Sequence, residues 1–498
     1  MSGLKYTSTR GNKAEVTASE AIIRGIAADG GLFVPTVWPE KVSNLEELSN
    51  LSYQELAYRI MRLFLPDFTE EELRSCIKNA YDEKFSNELI APLTGAAGVH
   101  FLELYHGPTL AFKDMALTIL PHLLKTAARK TQNEKEIVIL TATSGDTGKA
   151  ALEGFADVDG TRIIVFFPEH GVSEVQKRQM VTQTGNNTCV IGIEGNFDDA
   201  QSGVKAIFAD EELNERLARH GKMFSSANSI NIGRLVPQVV YYFAAYAQLC
   251  RKGEIVCGDP VNFVVPTGNF GNILAGYYAK QIGLPVHKLI CASNENKVLY
   301  EFFATGTYNK NRPFVTTISP SMDILISSNL ERLLYDLADE DGNKTRELME
   351  ALSKTGQYEV TPAMREKTKT FYGNYASEEE TLQTIGRVYK ETGYLMDTHT
   401  AVAYAVYQKY RQEANDPTPA VVVSTASPFK FPRDVMRALD EKYAARNEFE
   451  LIAEMAALQG GVAPKPIQGL AEREIRHRTV CERDEMKAAV IKYLGLNR

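Results

Sequence analysis

The sequence predicts an α/β protein built on a parallel β-sheet. Short runs of β-branched and apolar residues alternate with helical stretches between residues 96 and 295. Two of these runs, 136–143 and 261–268, are largely apolar and close on turns that contain glycine. Parallel strands have this composition because helices cover both faces of their sheet.

The other predicted elements follow in chain order. Residues 1–95 are expected to form a small, mostly helical N-terminal domain, with amphipathic helices over 45–64 and 70–83. The α/β domain would occupy residues 96–295. Its predicted strands cover 136–143, 162–168, 187–194, 261–268 and 288–294, and its predicted helices cover 147–158, 173–182 and 197–220.

The last two regions depart from the α/β pattern and then return to it. Residues 296–400 contain a charged stretch and no long β run, so we expect a helical insertion or third domain there. Residues 420–428, AVVVSTASP, again have the composition of a buried strand. Residues 401–498 therefore return to the sheet and end in a helical C-terminal tail.

Composition and charge argue against several classes of protein. The net charge of −8 disfavours a nucleic-acid partner, because nucleic-acid-binding proteins present a basic surface. No run of about 18 apolar residues predicts a membrane span, and the first residues lack the apolar stretch of a signal peptide. The six cysteines show no CxxC pair and no Cys/His pair at ligand spacing. We therefore expect free thiols in a reducing cytoplasm and no metal centre.

One lysine stands in an unusual setting. Lys113 lies in residues 104–116, LYHGPTLAFKDMA, with mainly apolar neighbours on both sides. Surface lysines usually stand among polar residues. This setting fits either an amine that reaches solvent past an apolar stem or an amine held in a pocket for chemistry.

A turn rich in hydrogen-bond donors follows the first buried strand. Residues 141–151, TATSGDTGKAA, lead into a predicted helix, and N–H groups at a helix start attract carboxylates or phosphates. A Walker A loop is excluded, because it requires a glycine at Thr143 and a hydroxyl residue at Ala150. A plain strand-to-helix turn is the alternative. The candidate ligands in this turn are Ser144, Asp146 and Thr147.

A second turn of this kind follows the strand at 261–268. Residues 264–279, VVPTGNFGNILAGYYA, run from a buried strand through two glycines into a helix. Such a turn would suit one phosphate, whereas a dinucleotide would require GxGxxG. A helix cap without a ligand is the alternative. The residues of this cradle turn are Gly268, Asn269, Phe270, Gly271 and Asn272.

Two further clusters place polar side chains beside buried elements. Ser424 and Thr425 stand at the carboxyl end of the late strand, where open α/β sheets bind ligands. A hydroxyl there suits a heterocycle nitrogen, or it caps the strand end. Residues 226–238, SANSINIGRLVPQ, place Asn231 and Arg234 before a long apolar helix. A guanidinium in that position suits a phosphate or carboxylate, or it is an ordinary surface arginine.

Together these features suggest pyridoxal 5'-phosphate as a cofactor. That cofactor needs a Schiff-base lysine, a cradle for a single phosphate and a partner for its ring nitrogen. A lysine among apolar residues can attack an aldehyde near neutral pH, because desolvation disfavours its charged form.

Four segments, in this order, resemble the threonine synthase family: HGPTLAFKD, SGDTG, PTGNFGN and STASPFKF. The N-terminal segments YTSTRG and DGGLFVP are similar to the opening of the same family. The resemblance implies a fold-type II pyridoxal-phosphate enzyme, similar to tryptophan synthase β and serine dehydratase. It also implies the last step of threonine biosynthesis. In that step O-phospho-L-homoserine and water give L-threonine and phosphate by γ-elimination and β-addition of water.

The resemblance also implies roles for individual residues. Lys113 would carry the cofactor as a Schiff base, the cradle turn would hold its phosphate, and Thr425 would meet its pyridine nitrogen. The loop that takes the substrate carboxylate would contain Ser144, Asp146 and Thr147. Further substrate-binding residues would be Asn231 and Arg234. Apart from the resemblance, the basic residues considered for the substrate phosphate are Arg234 and Lys430, followed by Lys149 and Arg312. The sequence departs from the family at Ser427, where many members have histidine.

The alternatives are other outcomes on the same fold. A phospholyase would release phosphate and give 2-oxobutyrate and ammonia, and another fold-type II lyase would act on a different amino acid. A non-catalytic binding protein would have no reason to keep Lys113 in an apolar setting beside two anion cradles. The expected partner is a small-molecule substrate, without nucleic acid or membrane, and the chain would be either a monomer or a homodimer.

Overall fold

A computed structural model describes residues 3–143, 145–170 and 172–496, without the side chain of Asp198. The N-terminal region combines a short antiparallel strand pair with four helices. Its elements are β1 (Tyr6–Ser8), α1 (Ala18–Arg24), β2 (Phe33–Pro35), α2 (Leu45–Ser49), α3 (Tyr53–Phe64) and α4 (Glu70–Ala80). The predicted helix over 45–64 is two helices, because Ser52 caps α3 by accepting a hydrogen bond from the Glu55 N–H.

The middle of the chain alternates strands and helices, as predicted. Its first elements are β3 (Leu93–Ala96), β4 (Val99–Glu103), α5 (Asp114–Leu117), α6 (Leu120–Lys130), β5 (Glu136–Ala142), α7 (Asp146–Phe155), β6 (Thr161–Pro168) and α8 (Glu174–Val181). They are followed by β7 (Thr188–Glu194), α9 (Phe197–Phe208), α10 (Glu211–Arg219), β8 (Lys222–Ser225), α11 (Ile232–Arg251), β9 (Val261–Pro266), α12 (Gly271–Gln281) and β10 (Val286–Ser293). The single helix predicted over 197–220 is wrong. Asp210 starts a new helix there by accepting a hydrogen bond from the Leu213 N–H.

The rest of the chain contains more β-structure than its sequence predicted. Its elements begin with α13 (Val298–Thr305), β11 (Thr307–Asn309), α14 (Leu330–Leu337), α15 (Gly342–Thr355), β12 (Gln357–Glu359), α16 (Pro362–Lys367), β13 (Phe371–Tyr375) and α17 (Glu378–Thr392). They end with α18 (Thr398–Ala414), β14 (Ala420–Ser424), α19 (Pro432–Leu439), α20 (Glu448–Leu458), β15 (Thr479–Glu482) and α21 (Met486–Tyr493).

Two sheets organise the protein. The larger one has the order β13-β10-β9-β14-β4-β3, and all its neighbouring strands are parallel except the β3–β4 pair. The smaller sheet has the all-parallel order β15-β7-β6-β5-β8. Strands β13 and β15 are edge strands from regions that were predicted to be helical.

The strand order brings the predicted motifs together. In the larger sheet β14 lies between β9 and β4, with Val422 beside Val264 on one side and Phe101 on the other. Because these strands are parallel, their carboxyl ends lie at one edge of the sheet. The segment that leads to Lys113, the cradle turn and Thr425 all follow those ends.

One hydrophobic core joins the N-terminal region to both sheets. Its buried residues include Phe64 of α3, Val165 of β6 and Val265 of β9. Phe64 also stacks on Tyr278 of α12, with ring centroids 6.0 Å apart. In the described part of the chain no helix combines the length and apolar character that crossing a membrane requires.

Candidate active site

Lys113 lies directly before α5. Backbone hydrogen bonds join its segment to the residues that follow β14. The Phe112 N–H donates to the Thr425 carbonyl at 2.8 Å, and the Ser427 N–H donates to the Leu110 carbonyl at 3.0 Å. These bonds fix the lysine segment beside Thr425, which is 6% exposed. The lysine and the strand-end hydroxyl residue, predicted separately, are therefore neighbours.

The amine of Lys113 lies in a pocket rather than at the surface. Its Nζ is 3.2 Å from Ser321 Oγ and 3.7 Å from Asp146 Oδ2, and the side chain is 12% exposed. Burial lowers the pKa of Lys113 from its ordinary value. Asp146 opposes that shift, whereas the positive charges of Lys430 and Arg234 add to it. The environment thus favours a neutral amine that can act as a nucleophile or base.

Asp146 joins two lysines at the N-terminus of α7. Its Oδ1 lies 2.8 Å from Lys430 Nζ and accepts a hydrogen bond from Gln176 Nε2 at 2.9 Å. Burial alone would raise the pKa of Asp146, but Lys430 and Lys113 outweigh burial and hold the pKa below its usual range. Asp146 is therefore a fixed negative charge beside Lys113 Nζ rather than a proton carrier.

The amine of Lys430 forms all its hydrogen bonds with groups of the protein itself. It is 0% exposed, and its Nζ also donates to the Thr109 carbonyl and to Gln179 Oε1, both at 3.1 Å. Three acceptors account for its three N–H bonds. The geometry therefore supports a role in holding Asp146, whereas the role as a substrate-phosphate ligand stays a prediction.

The cradle turn has the features of an anion site. Phe270 has a left-handed backbone with φ of 66°. This conformation opens the start of α12, which no side chain caps. Within the described residues, the first-turn N–H groups of Gly271, Asn272 and Ile273 have no hydrogen-bond partner. Such groups attract a phosphate.

Asn272 and Gly268 make the fit to a phosphate group more specific. The Oδ1 of Asn272 accepts hydrogen bonds from Tyr241 and Tyr242, while its buried Nδ2 has no partner in the described part of the chain. An orphaned buried donor of this kind calls for an acceptor. A Cβ on Gly268 would lie 2.4 Å from the Ser321 carbonyl oxygen, so only glycine lets the cradle approach the segment that carries Ser321. The residues present thus fit the phosphate group of pyridoxal phosphate.

The remaining predicted residues differ in whether their polar atoms are free to bind a ligand. Arg234 is 3% exposed, and burial lowers its pKa to about 10. Its Nη1 donates to the Ala227 carbonyl, and its Nε has no partner among the described residues. Asn231 is used structurally, because its amide caps α11 and donates to the Ile22 carbonyl. Thr147 lies in the first turn of α7. Ser144 lies outside the described residues.

The sequence motifs indicated neither Ser321 nor Asp397, which pairs with His399. The Ser321 N–H donates to His399 Nε2 at 3.1 Å, and His399 Nδ1 is 2.6 Å from Asp397. Ser321 reaches Lys113 from 208 positions along the chain, so no local pattern indicates the contact. In the described part of the chain no cluster of His, Cys, Asp and Glu could hold a metal ion.

Asp114, the residue after Lys113, leads to a prediction about pH. Burial raises its pKa to about 6, although hydrogen bonds from Thr109 and the charge of Lys430 act in the opposite direction. The folded chain keeps this proton up to about pH 6, whereas an unfolded chain releases it near pH 4. The free energy of unfolding therefore falls as pH rises between these values.

We expect the Asp114→Asn variant, which mimics the protonated acid, to escape this loss. Relative to wild type its free energy of unfolding should rise by about 2 kcal/mol from pH 4 to pH 6.5. Urea unfolding at the two pH values measures the change. Asp159→Asn, at a side chain that is 93% exposed, is the matched control and should follow wild type. If the free energy of unfolding changed equally in Asp114→Asn and wild type between the two pH values, the prediction would be contradicted.

Comparison with known protein families accounts for most of the chain. Residues 5–81 match the family described as threonine synthase N terminus, and residues 400–490 match threonine synthase, C-terminal. Residues 88–426 match the pyridoxal-phosphate dependent enzymes. A curated threonine synthase from Pseudomonas aeruginosa is 41% identical over 441 residues, covering 87% of this chain and 90% of that protein. The chain belongs to the threonine synthase family.

Other members of the threonine synthase family differ in length. Human threonine synthase-like 1 is 42% identical over 437 residues, which cover 85% of this chain but 58% of that protein. This chain thus spans little more than half the length of the mammalian relatives it matches.

A solved threonine synthase has the same fold. The crystal structure of pyridoxal-phosphate-bound threonine synthase from Brucella melitensis superposes with a TM-score of 0.88 at 36% identity, over 100% of both chains. The predicted fold-type II α/β architecture and the resemblance to threonine synthases are therefore confirmed.

Proposed function

We propose that the protein uses pyridoxal 5'-phosphate to convert O-phospho-L-homoserine and water into L-threonine and phosphate. The observation that carries the proposal is the position of Lys113 Nζ, a buried amine with a lowered pKa beside Asp146. The segment of Lys113 adjoins Thr425 at the edge of the sheet that also carries the cradle turn. A carbon-oxygen lyase of this type needs these three parts in one place.

The residues that would hold the cofactor come from three strand ends. Lys113 would attach it through Nζ, and Thr425 at the end of β14 would face its pyridine nitrogen. Its phosphate would lie on the N–H groups at the start of α12 and on Asn272 Nδ2. The residues of that cradle are Gly268, Asn269, Phe270, Gly271 and Asn272. When bound, the cofactor supplies an electron sink for the carbanions that form next to the substrate nitrogen.

Lys113 would also move protons. With substrate bound, Lys113 Nζ would be the base for the proton at the substrate α-carbon. Burial lowers its pKa and so favours the neutral amine, which is the form that can accept the α-proton. Asp146 at 3.7 Å then stabilises the ammonium group that results. The same ammonium group can return a proton after water has added at the β-carbon.

The substrate anions would meet two helix starts. Thr147 and the N–H groups of the first turn of α7 suit the substrate carboxylate. Arg234, in the first turn of α11, suits the substrate phosphate because its buried Nε has no partner among the described residues. Asn231 would act on this site by fixing the start of α11.

We also propose that the protein is located in the cytoplasm. Each of the six cysteines is a free thiol, as expected for a protein in a reducing compartment.

An end-point assay on the purified full-length protein tests the function. The protein is incubated with O-phospho-L-homoserine, released phosphate is quantified, and the organic product is identified by mass spectrometry. We expect phosphate and threonine in equal amounts. Phosphate with 2-oxobutyrate would overturn the product assignment in favour of a phospholyase. Absence of phosphate release by the yellow, cofactor-loaded protein would overturn the substrate assignment in favour of another amino acid.

A further inference from the structure

The proposed mechanism leaves one polar neighbour of Lys113 without a role. Ser321 belongs to the 317–329 segment, which is part of the connection between β11 and α14 and lies against the active site. Its Oγ accepts a hydrogen bond from Lys113 Nζ at 3.2 Å. The same hydroxyl donates toward Asp146 Oδ2 at 3.5 Å. Ser321 therefore bridges the amine and the carboxylate that governs its charge.

A buried histidine holds Ser321 in this position. The Ser321 N–H donates to His399 Nε2 at 3.1 Å, and a backbone N–H is always a donor. His399 Nε2 must then be the unprotonated nitrogen, so Nδ1 carries the hydrogen and donates to Asp397 Oδ2 at 2.6 Å. His399 is 1% exposed and Asp397 is 0% exposed. The pair is therefore a rigid anchor.

The anchor continues to the strand that carries Thr425. Asp397 Oδ1 accepts hydrogen bonds from the N–H and the hydroxyl of Thr400. Thr400 Oγ1 is in turn 2.8 Å from Ser424 Oγ, at the end of β14. A continuous chain of hydrogen bonds thus runs from the sheet edge through the start of α18 to Ser321 and Lys113.

The 317–329 segment is also fixed at its two ends. Asp323 accepts hydrogen bonds from Thr317, Asn294 and Asn296. Ser327 Oγ donates to the Gly268 carbonyl at 2.7 Å, and the Asn329 N–H donates to the Asn269 carbonyl at 3.0 Å. These contacts attach the segment directly to the cradle turn. Its approach to Lys113 is therefore a built feature of the site.

We propose that Ser321 is a catalytic residue, which orients Lys113 Nζ and stabilises its protonated form. His399 and Asp397 are positioning residues that act through Ser321. The proposal rests on the proposed function only in taking Lys113 as the lysine that attaches the cofactor. With its hydrogen directed to Asp146, the Ser321 hydroxyl presents a lone pair to the ammonium group. Such a partner favours the charged form of an amine.

The other charged groups around these residues set the direction of the expected change. Asp146 favours the protonated form of Lys113, while Lys430 and Arg234 disfavour it. His399 faces Asp397 and lies near enough to Asp323 to influence that carboxylate. None of these groups replaces the hydrogen bond that Ser321 accepts from Nζ. Loss of the hydroxyl should therefore lower the protonation midpoint of Lys113 further.

The test measures the protonation of Lys113 without turnover. The full-length chain is freed of cofactor with hydroxylamine and labelled with trace acetic anhydride across a range of pH. Peptide mass spectrometry then gives the labelling midpoint of Lys113, with the exposed Lys125 as the reference in the same digest. We expect Ser321→Ala to lower the midpoint by about one pH unit, the shift expected when an ammonium group loses a hydrogen bond. His399→Phe should lower it in the same direction.

Conservative variants and surface controls separate this role from a general structural one. Ser321→Thr keeps the hydroxyl and His399→Gln keeps an acceptor for the Ser321 N–H, so both should stay near the wild-type midpoint. Ser202→Ala and His170→Phe, at exposed positions, should not move it. In the cofactor-loaded enzyme Ser321→Ala should lower kcat about 10-fold with little change in KM, because the hydroxyl acts on the lysine rather than on substrate binding.

The outcomes distinguish this proposal from the proposed function. An unchanged Lys113 midpoint in folded Ser321→Ala would overturn the role of Ser321, even if the protein makes threonine. A shift in Ser321→Ala without one in His399→Phe would overturn the positioning role of His399. A shift in both variants would support the proposal even if wild type made no threonine, and the proposed function alone would then fail.

Discussion

Replacing Lys113 with alanine is expected to abolish threonine formation. The change removes both the attachment point of the cofactor and the base for the α-proton, so turnover should fall by about 10⁴-fold or more. The protein should remain folded, because Asp146 keeps Lys430 as a partner at 2.8 Å. Threonine and phosphate release measure the loss, and circular dichroism measures the fold.

A variant of an exposed lysine is the control for this result. Lys125→Ala removes a lysine whose side chain is 56% exposed, and it should retain wild-type activity. The yellow colour of bound cofactor should be lost in Lys113→Ala only. Substantial threonine formation by Lys113→Ala would show that another group does the chemistry, and it would refute the assigned role of this lysine.

Replacing Lys430 with methionine is expected to destabilise the whole fold. The substitution keeps most of the side-chain volume but removes the ammonium group that pairs with Asp146 in a fully buried position. A buried carboxylate then loses its nearest positive partner, and such a change costs about 3–5 kcal/mol of folding free energy. Urea unfolding monitored by circular dichroism would measure it.

A double variant shows whether the lost charge is the cause. Lys430→Met combined with Asp146→Asn leaves no uncompensated carboxylate, so it should be more stable than Lys430→Met alone. Lys125→Met breaks an exposed pair with Asp159 and should change stability little. Equal stability of Lys430→Met and wild type would contradict the account of this charge cluster.

Local sequence patterns predicted the buried strands except β4, and they did not predict the edges of the sheets. Strands such as β5 and β9 are covered on both faces, and their apolar runs indicated them directly. The segment FYGNY of β13 has one buried residue, Phe371, since it pairs with β10 alone at the sheet edge. Strand β15 likewise has mostly exposed residues and pairs only with β7. Pairing with a distant strand made both segments β-structure, and that pairing leaves no strong mark on the local sequence.

The same distinction applies to the site. Lys113, the cradle turn and Thr425 follow strand ends within short motifs, and parallel pairing brings such ends to one edge. Ser321 and His399 reach the site from a loop and from the start of α18, through contacts 208 and 78 positions apart in sequence. Lys430 was recognised as a basic candidate, but its buried partner Asp146 could only be identified from the fold.

Borohydride reduction tests most directly whether Lys113 attaches the cofactor. The yellow full-length protein is reduced with sodium borohydride, digested and mapped by mass spectrometry. We predict one pyridoxyl-phosphate adduct, on Lys113, with the other lysines unmodified. An adduct on a different lysine, such as Lys430 or Lys149, would contradict the account and place the active site elsewhere in the fold.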